Sequence, residues 1–246
     1  MYRKVINLIK GIFHLFGLEI SKRSFTKDRL RRGEFDWLRR MDIKTIYDVG
    51  ANNGEFVRFI SAIFPDAQIY SFEPLKEPYE ELKINTDYVK KIEYLNYALG
   101  DNDGESIIYH NEFSPSSSIL KMTDAHKNPF PYTKDAYEEK IQIKRLDSVF
   151  PEFNNIKNIL LKIDVQGFEM NVLRGAEKFL PMASMVIIET SFETLYESQP
   201  LFNDIYDYLT ENGFEYKGNL GQLCSPVDGK ILQADAIFIK NNGAAE

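Results

Sequence analysis

The ten residues Thr45–Gly54, TIYDVGANNG, constrain this chain more than any other stretch. Apolar and β-branched residues lead into Asp48, Gly50 and Gly54 bracket a turn, and Glu55-Phe-Val-Arg-Phe-Ile60 continues at helical spacing. Strand, glycine turn and helix in that order let bare backbone approach a ligand where the first helical N–H groups lack partners. Nineteen residues after Gly54, the run Gln68–Phe72 ends in Glu73-Pro74. An acidic side chain closing the second strand of a βαβ unit is suited to chelate ribose hydroxyls. The two signals together describe a cradle for a nucleotide-like cofactor.

The rest of the chain supports an α/β reading. From Thr45 onward, apolar runs alternate with amphipathic segments, the pattern of a mostly parallel sheet with helices on both faces. Strands are expected near Thr45–Val49, Gln68–Phe72, Glu93–Ala98, Ile159–Asp164, Val186–Glu189 and Ala236–Lys240. Helices are expected over Phe56–Phe64, Glu77–Asn85, Phe168–Leu180 and Leu201–Asn212. Period two puts Lys162 and Asp164 on one side of their strand, with Asp164 at its carboxyl end. Open α/β sheets bind ligands outside those ends, so Asp164 points at the site. The stretch Tyr109–Glu139 is long for a connection and reads as a substrate-facing loop; His110 and His126 within it are candidate bases near neutral pH.

With 246 residues, 43% of them hydrophobic, the chain suits one main domain over residues 44–241, carrying the insertion 109–139, behind a helical arm over residues 1–43. A net charge of −7 argues against nucleic acid as a partner. The single Cys224 permits no internal disulfide, and no Cys/His cluster has zinc spacing, which fits a reducing, cytoplasmic setting. Within Met1–Ile20, Val5, Leu8, Ile9, Ile12, Phe13 and Phe16 share one helical face, and Lys10 and His14 interrupt any membrane span. Three readings stand for this amphipathic segment: packing on the body or on a second subunit of a homodimer, peripheral contact with the inner face of a membrane, or a disordered arm.

A dinucleotide site asks for G-x-G-x-x-G, whereas here Asn52 occupies the middle position, so a pyrophosphate is poorly served. An NAD-linked oxidoreductase is therefore the alternative rather than the main reading, together with a non-catalytic cofactor-binding scaffold. Asp48-Val-Gly-Ala-Asn-Asn-Gly54 with Glu73 resembles the first motif and ribose-binding acid of class I S-adenosylmethionine-dependent methyltransferases. The succession of that motif with Phe72-Glu73-Pro74, Asn96-Tyr-Ala-Leu-Gly-Asp101, Leu146-Asp147-Ser148, Leu161-Lys-Ile-Asp-Val-Gln-Gly-Phe-Glu169, Val172-Leu-Arg-Gly-Ala176 and Ile188-Glu189 is similar to the FkbM family from Thr45 to Lys240.

The resemblance implies a Rossmann-like class I methyltransferase fold, a seven-stranded sheet of order 3-2-1-4-5-7-6 with its last strand antiparallel. It implies S-adenosyl-L-methionine as cofactor, held by Asp48, Gly50, Ala51, Asn52, Asn53, Gly54, Phe72, Glu73, Pro74, Asn96, Tyr97, Ala98 and Asp164. The expected reaction is O-methylation of a sugar, glycan or related secondary metabolite, with a small-molecule or glycan acceptor as partner. The family motif usually reads Asp-Val-Glu-Gly-x-Glu, and this chain has Gln166 in the middle, which loses a carboxylate but keeps a hydrogen-bonding oxygen.

Transfer to a hydroxyl calls for positioning and for a proton acceptor. Asp164 is the first candidate, with Glu169, Glu189, His110 and His126 behind it. Asp164 could instead orient the cofactor or cap a helix, and Glu169 lies where a helix macrodipole favours negative charge without catalysis. Asp147, Glu189 and Asp164 could gather a magnesium ion, but carboxylates dispersed in sequence do not favour it, and no metal ligand is assigned.

Overall fold

The structure is a computed structural model and describes residue 33 and residues 35–111, 117–123, 136–149 and 158–241. Met1–Ile20 and His126 lie outside these residues, and with them the expectations placed there. The chain divides into Met1–Arg40 and Met41–Glu246. The described part of the first unit contains one helical turn, α1 (Asp36–Arg39), tied by a hydrogen bond from the Arg39 guanidinium to the Asp36 carboxylate.

The second unit runs β1 (Thr45–Val49), α2 (Glu55–Ile63), β2 (Gln68–Phe72), α3 (Lys76–Asn85), β3 (Ile92–Leu95), β4 (Ala98–Leu99), β5 (Gly104–Asn111), β6 (Ala136–Lys144), α4 (Leu146–Val149), β7 (Ile159–Ile163), α5 (Glu169–Arg174), β8 (Ala183–Ser191), α6 (Phe202–Glu211), β9 (Phe214–Cys224) and β10 (Ile231–Lys240). Seven strands form one sheet in the order β3-β2-β1-β7-β8-β10-β9. Counted within that sheet alone, the order is the expected 3-2-1-4-5-7-6, with β10 antiparallel to both neighbours. Every residue of β1 and β7 is buried, which is why both read as near-continuous apolar runs rather than as alternating ones. Val57, Ile60 and Ile63 give α2 its inward face.

The expected third strand, Glu93–Ala98, is divided between two sheets. β3 stays beside β2, while β4 pairs with β6 in a separate three-stranded sheet of order β4-β6-β5. Asn96 lies at the break, where its side-chain amide donates to the carbonyls of Glu73 and Pro74. The insertion is only partly a loop: β5 and β6 form its antiparallel arms, with Tyr109 and Glu138 in register. The helix expected over Phe168–Leu180 stops at Arg174, and a 3-10 turn follows at Leu180–Met182.

Gly175, just past α5, explains why several motifs travel together. A Cβ built on it would lie 1.8 Å from the carbonyl oxygen of Gly100. Around that contact Arg145 donates to the carbonyls of Asp101 and Arg174, Asn171 donates to the Asp101 carboxylate, and Asp103 accepts from the Arg145 N–H and the Ser148 hydroxyl. Asp147 accepts the N–H groups of Lys178 and Phe179, so its carboxylate belongs to this joint and does not join Asp164 and Glu189 around a cation. Three stretches that look like chemistry in the sequence thus hold the small sheet to α5. Gly175→Ala should cost more than the about 1–3 kcal/mol of ordinary overpacking, because the obstacle is backbone. Urea denaturation would show it, and a loss within or below that range of about 1–3 kcal/mol would contradict the contact.

Candidate active site

The glycine turn after β1 is pinned to the end of β2. Gly50 has φ +82°, and a Cβ there would fall 1.8 Å from the Asp164 carbonyl oxygen, so no side chain can replace it without moving β7 away. The N–H groups of Gly50 and Ala51 both reach the Phe72 carbonyl. Asn52, also left-handed at φ +47°, gives its N–H to Glu73 Oε2 at 2.8 Å, while Glu73 Oε1 accepts the Leu75 N–H at 2.9 Å. Each carboxylate oxygen can accept twice, so both retain capacity for a ribose hydroxyl.

A cavity of about 400 Å³ opens beside this turn, a volume typical of small-molecule sites. Phe72, Leu75, Ala98, Leu99, Ile108 and Phe168 supply apolar walls, and Asp164, Gln166, Glu189 and Gln233 supply polar ones. β2, which carries Glu73 at its end, stands three strands from β8, which carries Glu189. At ~4.8 Å per strand step the two carboxylates mark ends about 14 Å apart.

Gln166 organises the far end. Held at φ +54°, it donates from Nε2 to Asp164 Oδ1 and to Glu189 Oε2, each at 2.8 Å, and its Oε1 accepts the Tyr196 hydroxyl at 2.8 Å. Gln233 donates to the same Glu189 oxygen at 2.7 Å. On the other side, the buried Lys162 ammonium stands 3.3 Å from Asp164 Oδ2 and 3.2 Å from Asp235 Oδ1. Burial alone would pull Lys162 down, but Asp164, Asp235, Glu189 and Asp48 together outweigh it and hold the ammonium above its usual range. Burial, reinforced by Asp164, Glu169 and Asp235, raises the Glu189 carboxyl well above the ordinary range.

Of the residues expected to hold a cofactor, Gly50, Ala51, Asn52, Asn53, Phe72, Glu73, Pro74, Ala98 and Asp164 line the cavity. Asp48 and Gly54 do not reach the wall. Asp48 is buried beside Lys162, with an Oδ2 that has no hydrogen-bond partner among the described residues, and burial pushes its carboxyl up to about 7. Asn96 braces the Glu73-Pro74 backbone, and Tyr97 packs edge-on against Phe72 under the Lys144 ammonium. Among the proton-acceptor candidates, Asp164 and Glu189 meet in the cavity. Glu169 is buried away from its wall, accepting the N–H groups of Val165 and Gly167, with its carboxyl raised to about 7 by burial. His110 sits in the small sheet, paired with Glu139 at 2.9 Å and against the Tyr137 ring. Gln233 and Leu223 were not foreseen: they come from β10 and β9, whose antiparallel pairing carries no motif.

Residues 48–216 match the family model of the methyltransferase FkbM domain. The chain belongs to the FkbM methyltransferase family. It is 28% identical to "Methyltransferase 1" of Beauveria bassiana over 55% of this chain and 59% of that protein. It is 26% identical to the 2-O-methyltransferase NoeI of Sinorhizobium fredii over 76% and 77% of the two chains. Identity to the hexuronic acid methyltransferase AglP of Haloferax volcanii is 26%, over 64% of this chain and 62% of that one. The chain therefore spans less than two thirds of the length of the first and third of these relatives. The NAD-linked alternative falls with the family match.

The FkbM donor is S-adenosylmethionine, and the residues present fit it. Apolar walls suit a base, Glu73 retains acceptor capacity for ribose hydroxyls, and the remaining wall carries carboxylates that suit a sulfonium cation. Among the described residues no group of three or more His, Cys, Asp or Glu side chains could hold a metal ion, and no helix is long and apolar enough to cross a membrane.

Asp48, Glu73 and Glu169 all titrate at about 7 in the ligand-free fold, with burial the largest cause in each. In the unfolded chain they titrate at about 4, so the native state holds extra protons between those values. Their contribution to stability is complete below the unfolded value and is lost as pH rises through the folded one. The urea midpoint of the ligand-free protein should therefore fall between pH 5 and pH 8, and Asp48→Asn should flatten the slope. A midpoint that climbs across this window would contradict these assignments.

Proposed function

We propose that this FkbM protein methylates a hydroxyl of a sugar, glycan or related secondary metabolite, with Glu189 as the proton acceptor. The observation that carries the reading is that one cavity extends from Glu73 to the Gln166-bridged pair of Asp164 and Glu189. S-adenosylmethionine supplies an activated methyl group, whose bonding pair returns to sulfur as the new C–O bond forms. What the protein must add is alignment of the hydroxyl and a place for its proton.

Asp164 is poorly placed for the second task, since one oxygen accepts from Gln166 and the other faces Lys162. Glu189 engages both amides through Oε2 alone, and burial among Asp164, Glu169 and Asp235 gives its carboxylate a proton affinity above the ordinary range. Asp164 then orients the acceptor hydroxyl or the donor's amine. The names of NoeI and AglP, a 2-O-methyltransferase and a hexuronic acid methyltransferase, support an oxygen on a sugar-like acceptor.

Transfer of a labelled methyl group to a pooled sugar and glycan fraction tests the proposal. Glu189→Gln should lower transfer by about 10²-fold or more while changing affinity for S-adenosylhomocysteine only a few-fold. Undiminished transfer by the variant would remove Glu189 as the base, and donor binding without any transfer by the wild-type protein would leave a non-catalytic scaffold.

A further inference from the structure

The charge balance around the cavity is lopsided. Glu55, Glu73, Asp164 and Glu189 line it, and no Lys, Arg or His lines it among the described residues. Asp235 is outside the lining, and the buried Lys162 that answers it is shared with Asp164. Glu55 is exposed and Asp164 is partly so, but Glu73 and Glu189 are held out of water without matched cations, a costly state relieved either by protons or by a positively charged ligand. Burial raises the carboxyls of Glu73 and Glu189, which is the first kind of relief.

We infer that this excess of carboxylates makes the cavity discriminate the methyl donor from its spent product by charge, binding the sulfonium form firmly and the thioether form weakly. The inference rests on the donor assignment made above and extends it to the order of affinities. S-adenosylmethionine and S-adenosylhomocysteine share the adenosine, the amino group and the carboxylate. They differ by one methyl group and one positive charge. Burying the methyl group accounts for only about fourfold in affinity, whereas a unit charge facing partly buried carboxylates interacts far more strongly than it would in water. Glu189 is the specificity-determining residue in this view, since its strand neighbours leave it no ammonium of its own: Lys162 lies 3.3 Å and 3.2 Å from Asp164 and Asp235. A site built this way releases its product as the charge disappears and resists product inhibition.

Calorimetry on the full chain at pH 8 and low salt decides the matter without any acceptor. S-adenosylmethionine should bind at least tenfold more tightly than S-adenosylhomocysteine. Sinefungin, which carries an ammonium in place of the sulfonium methyl, should group with the charged donor. Glu189→Gln should narrow the gap by weakening the two cations and sparing the neutral product. Asp235→Asn, which removes the carboxylate that shares Lys162 with Asp164, should narrow it in the same direction and serves if Glu189→Gln does not fold. Product binding as tight as donor binding, or a gap that survives both substitutions, would overturn the inference. Failure of all three compounds to bind would instead remove the donor assignment, and this inference with it.

Discussion

A single carboxylate fastens the site together. Glu73 takes the N–H of Asn52 from one turn and of Leu75 from the next, so the glycine bend after β1 and the end of β2 cannot move independently. Asn52 sits in left-handed backbone, a conformation that a non-glycine residue keeps only where the surroundings over-determine it. Glu73 supplies that determination, and its own burial is the cost, visible in a carboxyl held up near 7 against two stabilising backbone bonds. The same atoms that shape the bend retain the capacity to accept ribose hydroxyls, which couples donor binding to local rigidity.

At the opposite end the constraint is repulsion among acids. Asp164 and Glu189 would face one another across the cavity with only the shared Lys162 to moderate them. Gln166 resolves the conflict by offering one amide hydrogen to each, while Tyr196 donates to its oxygen and fixes the orientation of the amide. A glutamate at this position, as the family motif usually has, would bring a third negative charge within 2.8 Å of the other two. The departure from the family pattern is therefore a change in how the acids are separated. It keeps both of them at the cavity.

Where the sequence was legible, a strong local pattern and the global fold agreed. β1 and β2 have the bounds expected for them because each is an uninterrupted apolar or alternating run ended by a glycine or an acid-proline pair. Glu73, Asp164 and Glu189 meet at one edge because parallel strands all present their carboxyl ends there. The misjudged pieces depend on contacts between residues far apart in the chain. Asn96 looks like part of a strand, yet the chain leaves the large sheet there, its side-chain amide braced on the Glu73 and Pro74 carbonyls, and Ala98 pairs in another sheet. Leu146-Asp147-Ser148 and Gly175 look like site motifs, yet they lock around the Gly100 carbonyl. Gln233 reaches the cavity only through antiparallel pairing of β10, which no local signal announces.

The central claim is that one cavity holds the adenosyl donor between Glu73 and the acids of β7 and β8. A crystal structure with S-adenosylhomocysteine bound tests it most directly. Density running from a ribose at Glu73 along the Gly50 turn toward Asp164 and Glu189 is the expected result. Density confined to another surface, or an empty cavity at saturating ligand, would contradict it.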